Sequence, residues 1–238
     1  MNSLTWHSVS ATETGYVRSV NEDALLDLRE QALWVVADGM GGHSFGDRAS
    51  RTVIEQLADF SAGTTAQQSL DDIRSRLITA NDLCRNEASG KIMGTTVAAL
   101  YIHENQCFFI WAGDSRIYRH RGDGLVQLTE DHSYVQELVS LGELKREDME
   151  QHPSSNIITR AVGVHSDLDI EITQATVQPG DRYLICTDGL FKDLNQGEIA
   201  GAMGLVSADE TLDSLVQLAL DRGGRDNITA IVMQASHA

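Results

Sequence analysis

Four aspartates stand at the ends of apolar, strand-like runs: ALWVVADG with Asp38, FFIWAGDS with Asp114, RYLICTDG with Asp188 and GGRDNITAIVM with Asp226. Three of them adjoin a glycine, which lets the chain turn sharply and leaves the carboxylate projecting from a rigid strand end. Sites so far apart in sequence predict one acidic cluster assembled by folding. An all-oxygen, sulfur-free cluster suits hard divalent cations such as Mg²⁺ or Mn²⁺. Each aspartate alone has an ordinary reading as a turn residue or a helix cap. Together, several isolated carboxylates at strand ends would repel one another unless a cation joined them.

The glycine run DGMGGH after Asp38 lets backbone approach an ion closely, so the Gly39 carbonyl is a further candidate ligand. RSVNED carries Arg18, Glu22 and Asp23 just before a strand. Adjacent residues of an extended chain point to opposite sides, so only one of Glu22 and Asp23 is expected to touch a given ion, the other acting through water. Arg18 offers a planar fork suited to a phosphate, although a solvated charged turn is the ordinary reading of this stretch by itself. The sequence holds no GxxxxGK[ST] phosphate loop, HExxH helix, GxSxG elbow or CxxC pair. With no covalent nucleophile in evidence, the chemistry predicted is hydrolysis by metal-activated water.

The elements that must position these residues follow from pattern. Runs rich in β-branched and aromatic residues predict strands over Ala24–Leu28, Ala32–Ala37, Thr95–Ile102, Gln106–Ala112, Arg116–Arg119, Asp169–Thr173, Arg182–Thr187 and Asn227–Gln234. Helical spacing links Ala49, Val53, Leu57 and Phe60, and again Leu70, Ile73, Leu77, Ala80 and Cys84. Further helices are predicted over Asn195–Met203 and Asp209–Asp221. Strands and helices do not alternate regularly, which argues for an α+β fold of two antiparallel sheets with helices outside them, against a doubly wound parallel sheet. Asp131–Gly163 is polar, with a helix-like piece at Tyr134–Leu141, and reads as a long surface excursion shaping access to the site.

Composition narrows the classes. The 238 residues are 42% hydrophobic, with only two prolines, Pro153 and Pro179, and no linker-like tract, so residues 1–238 are expected to form one domain. A formal net charge of -17 repels nucleic acid and anionic membrane surfaces. Cys84, Cys107 and Cys186 form an odd set without metal or disulfide spacing, with Cys107 and Cys186 inside apolar runs. No start resembles a secretory signal and no stretch approaches a bilayer span, so a cytoplasmic protein is expected.

In order, RSVNED, VADGMGGH, GTTVAAL, WAGDSRIYR, LTEDHS, HPSSNIITRAVG, LICTDGL and GRDNITAIV resemble the signature blocks of the metal-dependent Ser/Thr protein phosphatases of the PP2C (PPM) family, compact bacterial type. The resemblance runs from about Thr12 to about Gln234. It implies a four-layer α-β-β-α sandwich with a binuclear Mn²⁺/Mg²⁺ centre that activates a bridging water, without a covalent intermediate. By motif, Asp38 would bridge both ions, Asp188 and Asp226 would hold one, and Asp23 with the Gly39 carbonyl would serve the other, Glu22 standing in the outer shell. Asp114 would bind a third, weaker ion, Arg18 would hold the substrate phosphate, and Asp131–Gly163 would form the flap. One departure concerns the general acid. Met40 stands where some members carry a histidine, and His43 closes the glycine run instead. Two readings of His43 stay open: proton donor to the leaving oxygen, or a residue that orients the loop or caps the next helix. The implied partners are phosphoproteins made by a bacterial Ser/Thr kinase, met by a monomer.

Overall fold

The computed structural model describes residues 4–41 and 45–237. One sheet joins β1 (Leu4–Glu13), β11 (Ile228–His237), β10 (Arg182–Cys186), β7 (Arg116–Arg121) and β8 (Gly124–Gln127) in that order. The other joins β2 (Asp23–Leu28), β3 (Leu33–Met40), β5 (Val97–His103), β6 (Gln106–Ala112) and β9 (Glu171–Thr176), with the short β4 (Gly94–Thr95) on the end of β3. Neighbouring strands in both sheets are antiparallel.

The near-continuous apolar strands have a layered explanation. Alternate residues of a strand point to opposite faces, and both faces are covered here. Trp34, Val36, Ala98, Leu100, Phe109 and Trp111 meet Ile117, Tyr183, Ile185, Ile231 and Met233 between the sheets. Their neighbours Leu33, Val35, Ala37, Ala99 and Tyr101 face outward onto α1 (Gly46–Ala58) and α2 (Ala66–Ala88), meeting Val53, Leu57, Ile73 and Leu77. On the far side Leu184, Cys186, Ala230 and Val232 pack under α5 (Gln196–Met203) and α6 (Ala208–Asp221) through Ile199, Met203, Leu212 and Leu215. The result is the expected α-β-β-α sandwich. Thr65, Asn195 and Ser207 cap α2, α5 and α6 by accepting a hydrogen bond from the N–H three residues on.

Three elements were not anticipated. β1 sets exposed Thr5, His7, Ser10 and Thr12 among half-buried Leu4, Trp6, Val9 and Ala11 at a sheet edge, a weak strand signal, yet it pairs with β11 along ten residues. β8 is a four-residue edge strand. A single-turn helix, α4 (Asp188–Phe191), begins at Asp188, so that aspartate opens a helix two residues beyond the strand end. β9 starts two residues later than Asp169–Thr173 and runs on to Thr176.

The excursion after Asp131 has a buried stem. Asp131, His132 and Ser133 are all buried, and the Ile157 and Ile158 end of the segment returns to pair with Ser133 and Tyr134. Between these ends lie α3 (Tyr134–Ser140) and a 3₁₀ turn at Arg146–Gln151. Arg116 on β7 grips Asp131 through two guanidinium nitrogens, at 2.6 and 2.9 Å, and lies over the Phe191 ring at 3.6 Å.

Candidate metal centre

β2 and β3 bring the first two carboxylates together. Asp23 and Asp38 are register partners across the ladder, at the same end of both strands. The Asp38 peptide is clamped from the next strand: its N–H donates to Thr96 Oγ1 at 3.0 Å, and its carbonyl accepts from Thr96 N–H at 2.8 Å and Thr95 Oγ1 at 2.9 Å. Thr96 Oγ1 in turn bonds Ser115 Oγ at 2.7 Å, which explains the GTT block. Gly39 N–H donates to the Glu22 carbonyl, and a Cβ on Gly39 would overlap the carbonyl oxygens of Glu22 and Gly46. Only glycine allows β3, β2 and the start of α1 to close up there.

The second sheet supplies the other half. Thr187, the residue before Asp188, donates its hydroxyl to Asp23 Oδ2 at 2.8 Å, so the two sheets are tied at the site itself. Asp226 accepts from Arg18 at 2.8 Å. Its neighbour Asn227 holds the Arg18 loop by three bonds, donating to the carbonyls of Thr14 (2.9 Å) and Val20 (3.0 Å) and accepting from Glu22 N–H (2.9 Å). Asp114 follows Gly113, whose positive φ turns the chain out of β6. His132 holds that turn: its Nδ1 accepts from Gly113 N–H, leaving Nε2–H to donate to Glu171. Burial keeps this imidazole's pKa below its ordinary value, against the opposing pull of Glu171.

Asp38 is half-buried, open on the cleft side and surrounded by protein elsewhere. Burial pushes its carboxyl well above the carboxylate range, and the charges of Asp23, Asp188, Asp114 and Asp226 add to that push. All five aspartates therefore share one field. Asp23 is raised to about 7, chiefly by burial, with Asp188 and Asp226 adding to it while the Thr187 and Thr229 hydroxyls oppose. Asp114 is raised to about 7 by burial and then by Asp188. One buried oxygen on each of Asp23 and Asp114 has no hydrogen-bond partner, and an orphaned buried carboxylate oxygen is costly unless a cation meets it. These observations fit hard divalent ions. As they stand, no three acidic, imidazole or thiol groups among the described residues converge closely enough to hold an ion: Asp226 is turned to Arg18, and Asp188 to Lys192 at 2.6 Å.

The remaining expectations place as follows. Glu22 lies beside the start of α1, its side chain against Gly46. Arg18 is exposed (51% for the side chain) on the same cleft, within the field of Asp226, Glu22 and Asp188. His43 lies outside the described residues. A separate cavity of about 480 Å³, lined by His132, Ser140, Arg160 and Glu171 among others, holds none of the four strand-end aspartates. Lys192, Asn227, Thr187 and Thr96 had not been singled out. Only Lys192 left a local signal, its spacing of four from Asp188 on a helix.

The family model described as protein phosphatase 2C matches residues 14–231. The chain belongs to the protein phosphatase 2C family. Such a member is a metal-dependent phosphatase. Its similarity to the serine/threonine phosphatase stp of Listeria welshimeri is 34% identity, covering 96% of this chain and 95% of that one. Among solved structures, PppA, a key regulatory component of the T6SS in Pseudomonas aeruginosa, superposes with a TM-score of 0.90 at 41% identity, over 97% of this chain and 98% of that one. The catalytic domain of the serine/threonine phosphatase PstP, solved in complex with two manganese ions, gives 0.87 at 32% identity, over 98% and 99%. Among the described residues no helix of this phosphatase is long and apolar enough to cross a membrane.

Proposed function

We propose that this chain hydrolyses phosphoserine and phosphothreonine in proteins, and that Asp23, Asp38, Asp188, Asp226 and the Gly39 carbonyl would hold two Mn²⁺ or Mg²⁺ ions. Two such ions supply a water of lowered pKa and shield the phosphoryl charge. The observation that supports this reading most is geometric: Asp23 faces Asp38 across the β2–β3 ladder, Thr187 of the other sheet bonds Asp23 beside Asp188, and Asp23 and Asp114 each keep a buried oxygen without a partner. Manganese in the related PstP domain agrees with it.

The chain's own residues do the positioning. Arg18 presents its guanidinium at the open side of the cleft, where a phosphate dianion can take over the place now held by Asp226. Asn227 fixes the backbone on both sides of that arginine. The Thr187–Asp23 bond sets the spacing between the two sheets at the reacting centre. A cysteinyl intermediate is disfavoured: all three thiols are buried, and burial raises each pKa above its ordinary value. Glu22 acts from the outer shell. The substrates are phosphoproteins of a Ser/Thr kinase in the same cytoplasm, met by a monomer of one domain whose flap is the 131–163 segment.

The test is turnover of a phosphoserine or phosphothreonine peptide, and of p-nitrophenyl phosphate, by chelated and Mn²⁺-restored protein. Activity absent after chelation and regained with Mn²⁺ is expected. Full activity in EDTA would overturn the metal reading. Turnover of p-nitrophenyl phosphate without any phosphopeptide would overturn the substrate class.

A further inference from the structure

The charge of Asp188 acts on Asp114, which is 4% exposed and keeps one oxygen without a partner, while the Asp188 side chain is 16% exposed. Such a pair needs a counter-cation, and two side chains bring positive charge to Asp114: Lys192 and Arg116. Arg116 is already committed. Its guanidinium grips Asp131, reaches Glu150 at 3.1 Å and covers the Phe191 ring. Lys192 is differently placed. It sits at the C-cap of α4, four residues after Asp188, and its Nζ donates to Asp188 Oδ2 at 2.6 Å. A second donation reaches Asn156 Oδ1 at 2.7 Å, on the returning limb of the 131–163 segment. The side chain is 24% exposed, so the ammonium is held inside the site by its own stem and by the segment above it.

We infer that the Lys192 ammonium is the resident counter-cation of the Asp114–Asp188 pair and takes the place of a third divalent ion there. The inference rests on the reading of Asp188 as part of a two-ion centre, and it departs from the expectation that Asp114 holds a third ion. The physical reason is local. A third divalent ion between Asp114 and Asp188 Oδ2 would compete with the ammonium already on that oxygen, a fixed positive charge in a poorly screened setting, and that repulsion opposes its binding. The ammonium is tethered, so it survives chelation, whereas a weakly held third ion would not. Three N–H donors let it serve Asp188 and Asn156 with one left to turn toward Asp114. A consequence is that the position of the returning limb, through Asn156, is set by a side chain of the protein and not by the metal concentration.

Ion counting tests this without reference to turnover. Equilibrium dialysis against millimolar Mn²⁺ is expected to give two ions per chain for the wild type, three for Lys192→Ala, and two again for Lys192→Ala combined with Asp114→Asn. Lys192→Met, which keeps the length of the side chain, is run alongside in case the alanine variant does not fold, and a thermal melt reports folding of each. A wild type that takes up a third ion lost in Asp114→Asn would overturn the inference, whatever the lysine variants do. So would folded lysine variants that gain no ion. A wild type that binds none would defeat the two-ion reading, while a gain of one Asp114-dependent ion on removing Lys192 would still support this one.

Discussion

Asp23 faces Asp38 across the β2–β3 ladder as its direct register partner. Like charges placed opposite each other in a sheet are destabilising, and here one member is buried and the other half-buried. The relationship sets stability against activity.

Asp38→Asn should separate the two. Activity toward a phosphopeptide is expected to fall more than about 100-fold, beyond what loss of a mere outer-shell partner produces. Removing one charge from the cluster should also make the chelated protein more stable, at about 2–4 °C of melting temperature per kcal/mol for a chain of this length. Scanning fluorimetry in EDTA beside an activity assay checks both. A variant that is less stable in EDTA and still active would contradict the placement of this carboxylate.

The chelated chain should lose stability as pH rises. Asp23 and Asp114 titrate at about 7 when folded, against an ordinary 3.8. Between those values the folded chain holds protons that the unfolded chain has released, so each group lowers stability as pH increases through the window, at up to about 1.4 kcal/mol per unit. Below about 4 both states are protonated and above about 7 both are ionised, so the effect levels off at each end. Melting temperatures in EDTA are expected to be at least about 5 °C higher at pH 5.5 than at pH 7.5. A profile that is flat or rises over this range would count against buried, unmatched carboxylates.

Asn227→Ala should act on substrate capture. The side chain is 5% exposed and makes three hydrogen bonds that hold both sides of the Arg18 loop. At about 1 kcal/mol net for each, the loss is about 2–4 kcal/mol. If the loop's role is to present Arg18, KM should rise several-fold while kcat changes less. Steady-state kinetics on a phosphopeptide decides it, and a fall in kcat alone would point to the ions instead.

The Arg116–Asp131 pair anchors the stem of the 131–163 segment. Deleting one partner of a buried, doubly bonded pair leaves an uncompensated charge and costs about 3–5 kcal/mol. Asp131→Ala should therefore lower the denaturant midpoint and open residues 140–156 to protease. Arg116→Met with Asp131→Leu should be less damaging than either single change. Were the double variant the worst of the three, the pair would not be acting as a buried ion pair.

How much of this was legible in advance depended on range. The aspartates announced themselves because each stands at one end of an apolar run, Asp38, Asp114 and Asp188 after it and Asp226 before it, which is local information. Asn227, Thr187 and Thr96 did not, since what they hold lies far away in the chain: Asn227 reaches back to Thr14, and Thr187 to Asp23. The two main helices and the central strands were readable because both faces of each sheet are covered, which makes the strands conspicuously apolar. β1 escaped notice for the opposite reason. As an edge strand with alternating Ser and Thr, it owes its form to ten residues of pairing with β11 and not to its own composition.

The hydroxyl of Thr187 in one layer reaches the carboxylate of Asp23 in the other, and on the proposed reading each layer would bring only part of the ligand set, Asp23 and Asp38 from one and Asp188 and Asp226 from the other. A newly made chain would then stay inert until β11, which follows directly on Asp226 and Asn227, had docked. Premature turnover by a half-finished molecule would thereby be avoided, and catalytic output would report whether the whole sandwich had closed.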